Sequence, residues 1–182
     1  MFAVCSERDA LATSHKRRVP ILLKISPDLS RSAIQDIVSV VEATRVDGII
    51  ATNTSVSRGG LQSADARQEG GLSGVPLFPL AIDVVRTISL LTERRLPIIG
   101  IGGIFSGAEA YEMVKAGASL VQIHTGLVYR GPALVQRMKR ELVELLRQDG
   151  FTSIGQAVGI SAMGTAPATE NRTPEPVAQT TA

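Results

Sequence analysis

Two glycine-bearing stretches, each following an apolar run, hold the residue types best suited to chemistry. The first is PIIGIGGIFSG, Pro97 to Gly107. Gly102 and Gly103 let backbone approach a ligand that a Cβ would repel. Ser106 with Glu109 fits the S-x-x-E capping box, so a helix is predicted to open there. Its free N–H groups would receive an anion, most commonly phosphate. A plain tight turn between strand and helix fits the same residues. The second stretch is HTGLVYRG, His124 to Gly131, which also has glycine to spare.

Single polar residues stand at the ends of other apolar runs. Lys24 is the one charge in VPILLKI. A buried ammonium needs a partner, which predicts a nearby anion or electron-rich ring. A lysine snorkelling from a strand end is the plain alternative. Asn53 offers donors and acceptors for an amide or carboxylate, or is a turn asparagine. Taken singly, Thr52 and Thr54 read as β-formers or turn caps. Gly70, Gly71 and Gly74 read singly as loop punctuation. Placement at successive strand ends is the stronger signal.

Composition narrows the classes. The chain has 182 residues and a formal net charge of +2. That charge, with no basic run carrying interleaved aromatics, argues against nucleic acid as a partner. Trp is absent and aromatics make up 3%, so Val, Ile and Leu must build the core. The single Cys5 excludes an internal disulfide and a cysteine metal cluster, and His15 and His124 lack a ligand pattern. No metal site is expected. No apolar run reaches the roughly 18 residues of a membrane span. Glu7 and Asp9 come too early for a signal peptide.

These residues need a scaffold of alternating strands and helices. Strands are predicted at Val19 to Ile25, Val46 to Asn53, Pro97 to Gly103 and Ala118 to Thr125. Helices are predicted at about Arg31 to Thr44, around Leu80 to Leu91, at about Gly107 to Ala116, and from Pro132 to Gly150. Residues 1 to 18 read as a weakly patterned, solvated helix end. The order is repeated βα with parallel pairing. The connection Thr54 to Pro76 far exceeds the usual βα loop of about 2–6 residues and reads as a lid or binding loop. The segment 160–182, rich in Pro, Thr and Ala, reads as a disordered tail after a folded unit 1–159. The Asn171 sequon reads as a chance match.

Four βα units are half of what a closed (β/α)8 barrel needs. If these are barrel strands, the third and fourth behave as strands seven and eight, whose following loops commonly bind phosphate. A four-stranded open sheet could also stand alone, but no G-x-G-x-x-G nucleotide fingerprint accompanies it. On the barrel reading the fold class is α/β, the C-terminal half of a (β/α)8 barrel.

ILLKISPDL, IIATNTSVSR, EGGLSG, PIIGIGGIFSG, AGASLVQIHTGLVYRGP and KRELVELL resemble, in order and spacing, the C-terminal half of class 2 dihydroorotate dehydrogenase. The resemblance runs from about Glu7 to Gly159. It implies a (β/α)8 flavoprotein that oxidises dihydroorotate to orotate in pyrimidine synthesis and passes electrons to a ubiquinone-type quinone. It implies FMN as cofactor, with Lys24 at the isoalloxazine, Thr52 meeting FMN through its backbone, and Gly74 lining it. Gly103, His124 and Thr125 would cradle the phosphate, and Asn53 and Thr54 would hold orotate. His124 stands where the family usually has Tyr.

The resemblance puts the family's catalytic serine base, and the helices that form the quinone tunnel and bind the membrane, upstream of the matched segment. No catalytic base is therefore expected here. Membrane association would come only through that upstream region, at the mitochondrial inner membrane in a eukaryote or the plasma membrane in a bacterium. Two alternatives accompany this reading: a catalytically inactive half-barrel, and another FMN- or phosphate-binding barrel oxidoreductase.

Overall fold

A computed structural model describes residues 1–162. Four short strands form one parallel sheet in the order β1 (Leu22–Ile25), β2 (Gly48–Ala51), β3 (Ile98–Ile101) and β4 (Leu120–Gln122). In register, Lys24 lies beside Ile50, Ile50 beside Ile99, and Ile99 beside Leu120. The helices are α1 (Phe2–His15), α2 (Arg31–Thr44), α3 (Phe78–Leu91), α4 (Gly107–Ala116), α5 (Thr125–Arg130), α6 (Ala133–Gln148) and α7 (Ile154–Ala157). This is the α/β order expected, four βα units arrayed as in half of a (β/α)8 barrel.

The two faces of the sheet differ. Ile49, Ala51 and Ile98 are fully buried against helices, beside Val85 and Ile88 of α3. On the other face Ile50 and Ile99 are half-buried, and Leu120 is 63% exposed. An apolar run like that of β3, without polar alternation, marks a parallel strand covered on both faces. Among the described residues only the helical face is covered, and β1 and β4 each keep an unpaired edge. That open face is the interior of the would-be barrel.

Element ends depart from the sequence expectation in physical ways. β1 begins only at Leu22, since Pro20 cannot donate to a ladder. β4 stops at Gln122, and Thr125 opens α5 instead of ending the strand. The N-terminal stretch is a full helix, held to the sheet by charge. Arg8 and Arg18 pair with Asp47 at 2.8 and 2.5 Å, and the Ile21 N–H donates to the same carboxylate at 2.8 Å. Burial raises the Asp47 pKa, but that N–H and both guanidiniums outweigh it and leave the group below its ordinary value. The expected tail boundary also shifts. Ile160–Ala162 form a 3-10 turn and Ala162 is buried. The remainder of the tail, with the Asn171 sequon, lies outside the described residues.

The long connection is tied down. Ser55 pairs with Leu72 in an isolated antiparallel bridge. Asp28, in the loop after β1, accepts from the Ser55 hydroxyl and the Val56 N–H. Arg58 donates across the loop to the carbonyls of Gln68 and Gly70.

Candidate functional site

The C-terminal ends of all four strands open onto one cavity of about 250 Å³. Lys24, Thr52, Asn53, Thr54, Gly74, Gly103, His124 and Thr125 all line it, whereas Gly70, Gly71 and Ser106 do not. Ser73, Ile104 and Gln122 line it too and escaped the sequence reading. A larger hollow of about 930 Å³ lies between α1 and the segment Arg17 to Ile21, away from every strand tip and glycine turn.

Each wall has a local cause. Lys24 is exposed at the inward side of β1, with no carboxylate within ion-pair distance among the described residues. Thr52 is buried, its N–H donating to the Ile101 carbonyl at 2.8 Å and its hydroxyl to the Asn53 carbonyl at 3.0 Å. The backbone group left for a ligand is therefore the Thr52 carbonyl. The Asn53 N–H donates to the Ile25 carbonyl at 2.7 Å, which joins the tips of β1 and β2 and leaves the carboxamide free to face solvent. The Thr125 hydroxyl donates to that of Ser73 at 3.0 Å and closes the long loop onto the end of β4.

The glycine turn requires its glycine. Gly103 has φ +66°, and a Cβ there would sit 2.6 Å from the Phe78 nitrogen and 2.9 Å from the Gly74 carbonyl oxygen. The turn thus packs directly on the backbone that starts α3. Among the described residues, the N–H groups of Gly103, Ile104, Thr125 and Gly126 have no protein acceptor. Four convergent donors, a lysine and no lining carboxylate make a hollow suited to an anion.

The anion site predicted at the start of α4 is corrected. That helix end lies outside the cavity, and the N–H groups of Gly107, Glu109 and Ala110 in its first turn are already engaged. The Gly107 N–H donates to Glu141 of α6 at 2.5 Å, and the Glu109 N–H to the Ser106 hydroxyl oxygen at 3.5 Å. The Glu109 carboxylate accepts from the Ser106 hydroxyl rather than from the cap's N–H, so the capping box is not reciprocal. Free donors belong to the turn before α4 and to the start of α5.

Comparison with known proteins bears on this geometry. A family model described as Dihydroorotate dehydrogenase matches residues 2–146. A dihydroorotate dehydrogenase (quinone) of Cereibacter sphaeroides is 51% identical over 143 residues, covering 79% of this chain and 40% of that protein. A mitochondrial dihydroorotate dehydrogenase (quinone) of Arabidopsis thaliana is 46% identical over 158 residues, covering 86% of this chain and 34% of that protein. A crystal structure of the Eimeria tenella enzyme in complex with ferulenol superposes with a TM-score of 0.77 at 38% identity, covering 79% of this chain and 38% of that one. The chain thus spans well under half the length of these relatives.

Proposed function

The chain belongs to the dihydroorotate dehydrogenase family, a flavin-dependent family, and on that footing we propose that it forms the FMN- and orotate-holding half of a quinone-linked dihydroorotate dehydrogenase. The single observation that supports this best is the meeting of Lys24, Asn53 and Gly103 at one cavity. Cavities that join a few placed polar groups to apolar walls are the usual ligand sites of barrel folds.

When bound, FMN supplies hydride acceptance from dihydroorotate and electron delivery to a quinone. The residues of this chain do the holding. The turn N–H groups of Gly103, with those of His124 and Thr125, fix the phosphate. Gly74 and the Thr52 carbonyl line the cofactor. Lys24 sets a positive charge against the ring, which favours electron-rich forms. Asn53 and Thr54 present donors and acceptors to the substrate ring and carboxylate, and so set its orientation for transfer. The proton-accepting serine belongs to the family segment before this match.

A second reading concerns the chain by itself. The open inner face and two free sheet edges among the described residues favour an inactive segment when no other half-barrel is supplied. Among the described residues no helix is long and apolar enough to cross a membrane. The Arabidopsis and mouse relatives are named mitochondrial. Mitochondrial inner-membrane attachment in a eukaryote, or plasma-membrane attachment in a bacterium, is proposed to come from the preceding segment.

Co-expression with the N-terminal part of a relative tests both readings. Retained flavin and dihydroorotate-dependent quinone reduction are expected from the pair, and neither from the chain alone. A folded pair with no flavin would overturn the first reading.

A further inference from the structure

We propose that Glu141 is the resident anion of the α4 N-terminus and, from outside the cavity, positions the glycine turn that lines it. The proposal deepens the phosphate-cradle reading above and rests on it.

α4 begins three residues after Ile104, so whatever fixes its first turn fixes the exit of the Gly102–Gly103 turn. Three donors of that first turn are engaged by protein. The Gly107 N–H donates to Glu141 Oε2 at 2.5 Å, the Glu109 N–H to the Ser106 Oγ at 3.5 Å, and the Ala110 N–H to the Ser106 carbonyl at 3.2 Å. Glu141 comes from α6, is half-buried, and has no basic partner within ion-pair distance among the described residues. Its charge is matched instead by the positive end of α4.

The two helices meet without side chains between them. A Cβ on Gly107 would lie 2.4 Å from the Glu141 Cβ and 3.0 Å from the Met138 carbonyl oxygen. One helical turn earlier still, fully buried Leu134 lies where the Ile104 carbonyl approaches Gly126. α6 therefore grips the segment at both ends, by packing at Ile104 and by charge at Gly107. With three donors of the α4 terminus engaged from within and that terminus outside the cavity, an incoming phosphate meets the N–H groups of the cavity instead. Glu141 is thus a positioning residue and touches no ligand.

Glu141→Ala, Glu141→Gln and the control Glu144→Ala, on an exposed site of the same helix, are compared in the full chain co-expressed with the N-terminal part of a relative. Amide exchange at residues 103–108 is read beside binding of FMN and of inorganic phosphate. Glu141→Ala is expected to speed exchange at Gly107 and to weaken FMN about tenfold, the order expected for losing one charge-assisted hydrogen bond. Added formate, filling the vacated carboxylate position, should restore both. Glu141→Gln keeps an accepting oxygen and should lose less, and Glu144→Ala should change neither. Unchanged exchange and affinity in Glu141→Ala would overturn the proposal. So would a loss that neither formate nor the Gln variant lessens. If the parent protein binds neither FMN nor phosphate, the cradle reading fails, and exchange with formate rescue decides the hold of Glu141 on α4.

Discussion

The Ser55 hydroxyl donates to the Asp28 carboxylate at 2.5 Å, and this bond joins the loop after β1 to the loop after β2. Ser55 is fully buried and its oxygen also accepts from the Ser57 N–H at 2.9 Å. Two strand tips that carry Lys24 and Asn53 are thereby held at one spacing. Ser55→Ala removes a charge-assisted bond and orphans a donor. Equilibrium denaturation should show a loss of about 2 kcal/mol. Orotate affinity should fall while phosphate affinity holds, since Asn53 and Thr54 adjoin the bond and the glycine turn does not.

Gly103 and Gly74 should respond unequally to alanine. A Cβ at Gly103 meets backbone of Phe78 and Gly74 at under 3 Å, and neither can yield cheaply. A Cβ at Gly74 meets only the Thr125 Cγ2, at 3.5 Å. Both sit at positive φ, Gly74 with ψ −161° in a region essentially confined to glycine, and such backbone costs a side chain about 1–3 kcal/mol. Gly74→Ala should lose about that much stability and keep flavin. Gly103→Ala should lose flavin altogether, as followed by cofactor retention on gel filtration.

Lys24→Met keeps an unbranched side chain, one atom shorter, and removes its charge. In a longer protein that carries this chain, flavin reduction by dihydroorotate should slow by about 100-fold, the order seen when one preorganised electrostatic group is removed. Cofactor retention should change little, because the phosphate end does the holding. Rapid-mixing absorbance separates the two quantities. Equal losses in both would count against a charge role at the ring.

Tyr111 carries the clearest pH signature. Burial, then its hydrogen bond to Asp149 at 2.7 Å and the charges of Asp149 and Glu112, push its pKa from 10.0 to about 12. The folded state holds this proton more tightly than the unfolded state. Its contribution is present in full below pH 10 and is lost as pH rises towards 12, by about 1.4 kcal/mol per pH unit. Denaturation curves of the parent minus those of Tyr111→Phe should show that slope. A flat difference across the window would refute it.

The strand-end polar residues could be read in the sequence because each adjoins its own apolar run. The barrel's βα rhythm then brings such tips together, as Lys24, Asn53 and Gly103 show. What lay hidden was set by distant partners. Ser73 reaches the cavity only because the long loop folds back to Thr125. Glu141 acts 34 residues from Gly107. The capping signal at Ser106 correctly marked a helix start, yet nothing local revealed that a carboxylate from α6 already fills it. α1 looked weak because only Cys5 and Arg8 are buried on it, and the ion pair to Asp47 anchors it in place of an apolar stripe.

Arg58 reaches past Arg67 to bond the carbonyls of Gln68 and Gly70. Arg67 is exposed in a short 3-10 turn, an accessible point for trypsin. A nick there would leave the downstream fragment gripped by the upstream one. The cleaved protein should therefore migrate as two pieces under denaturing conditions and as one particle under native ones.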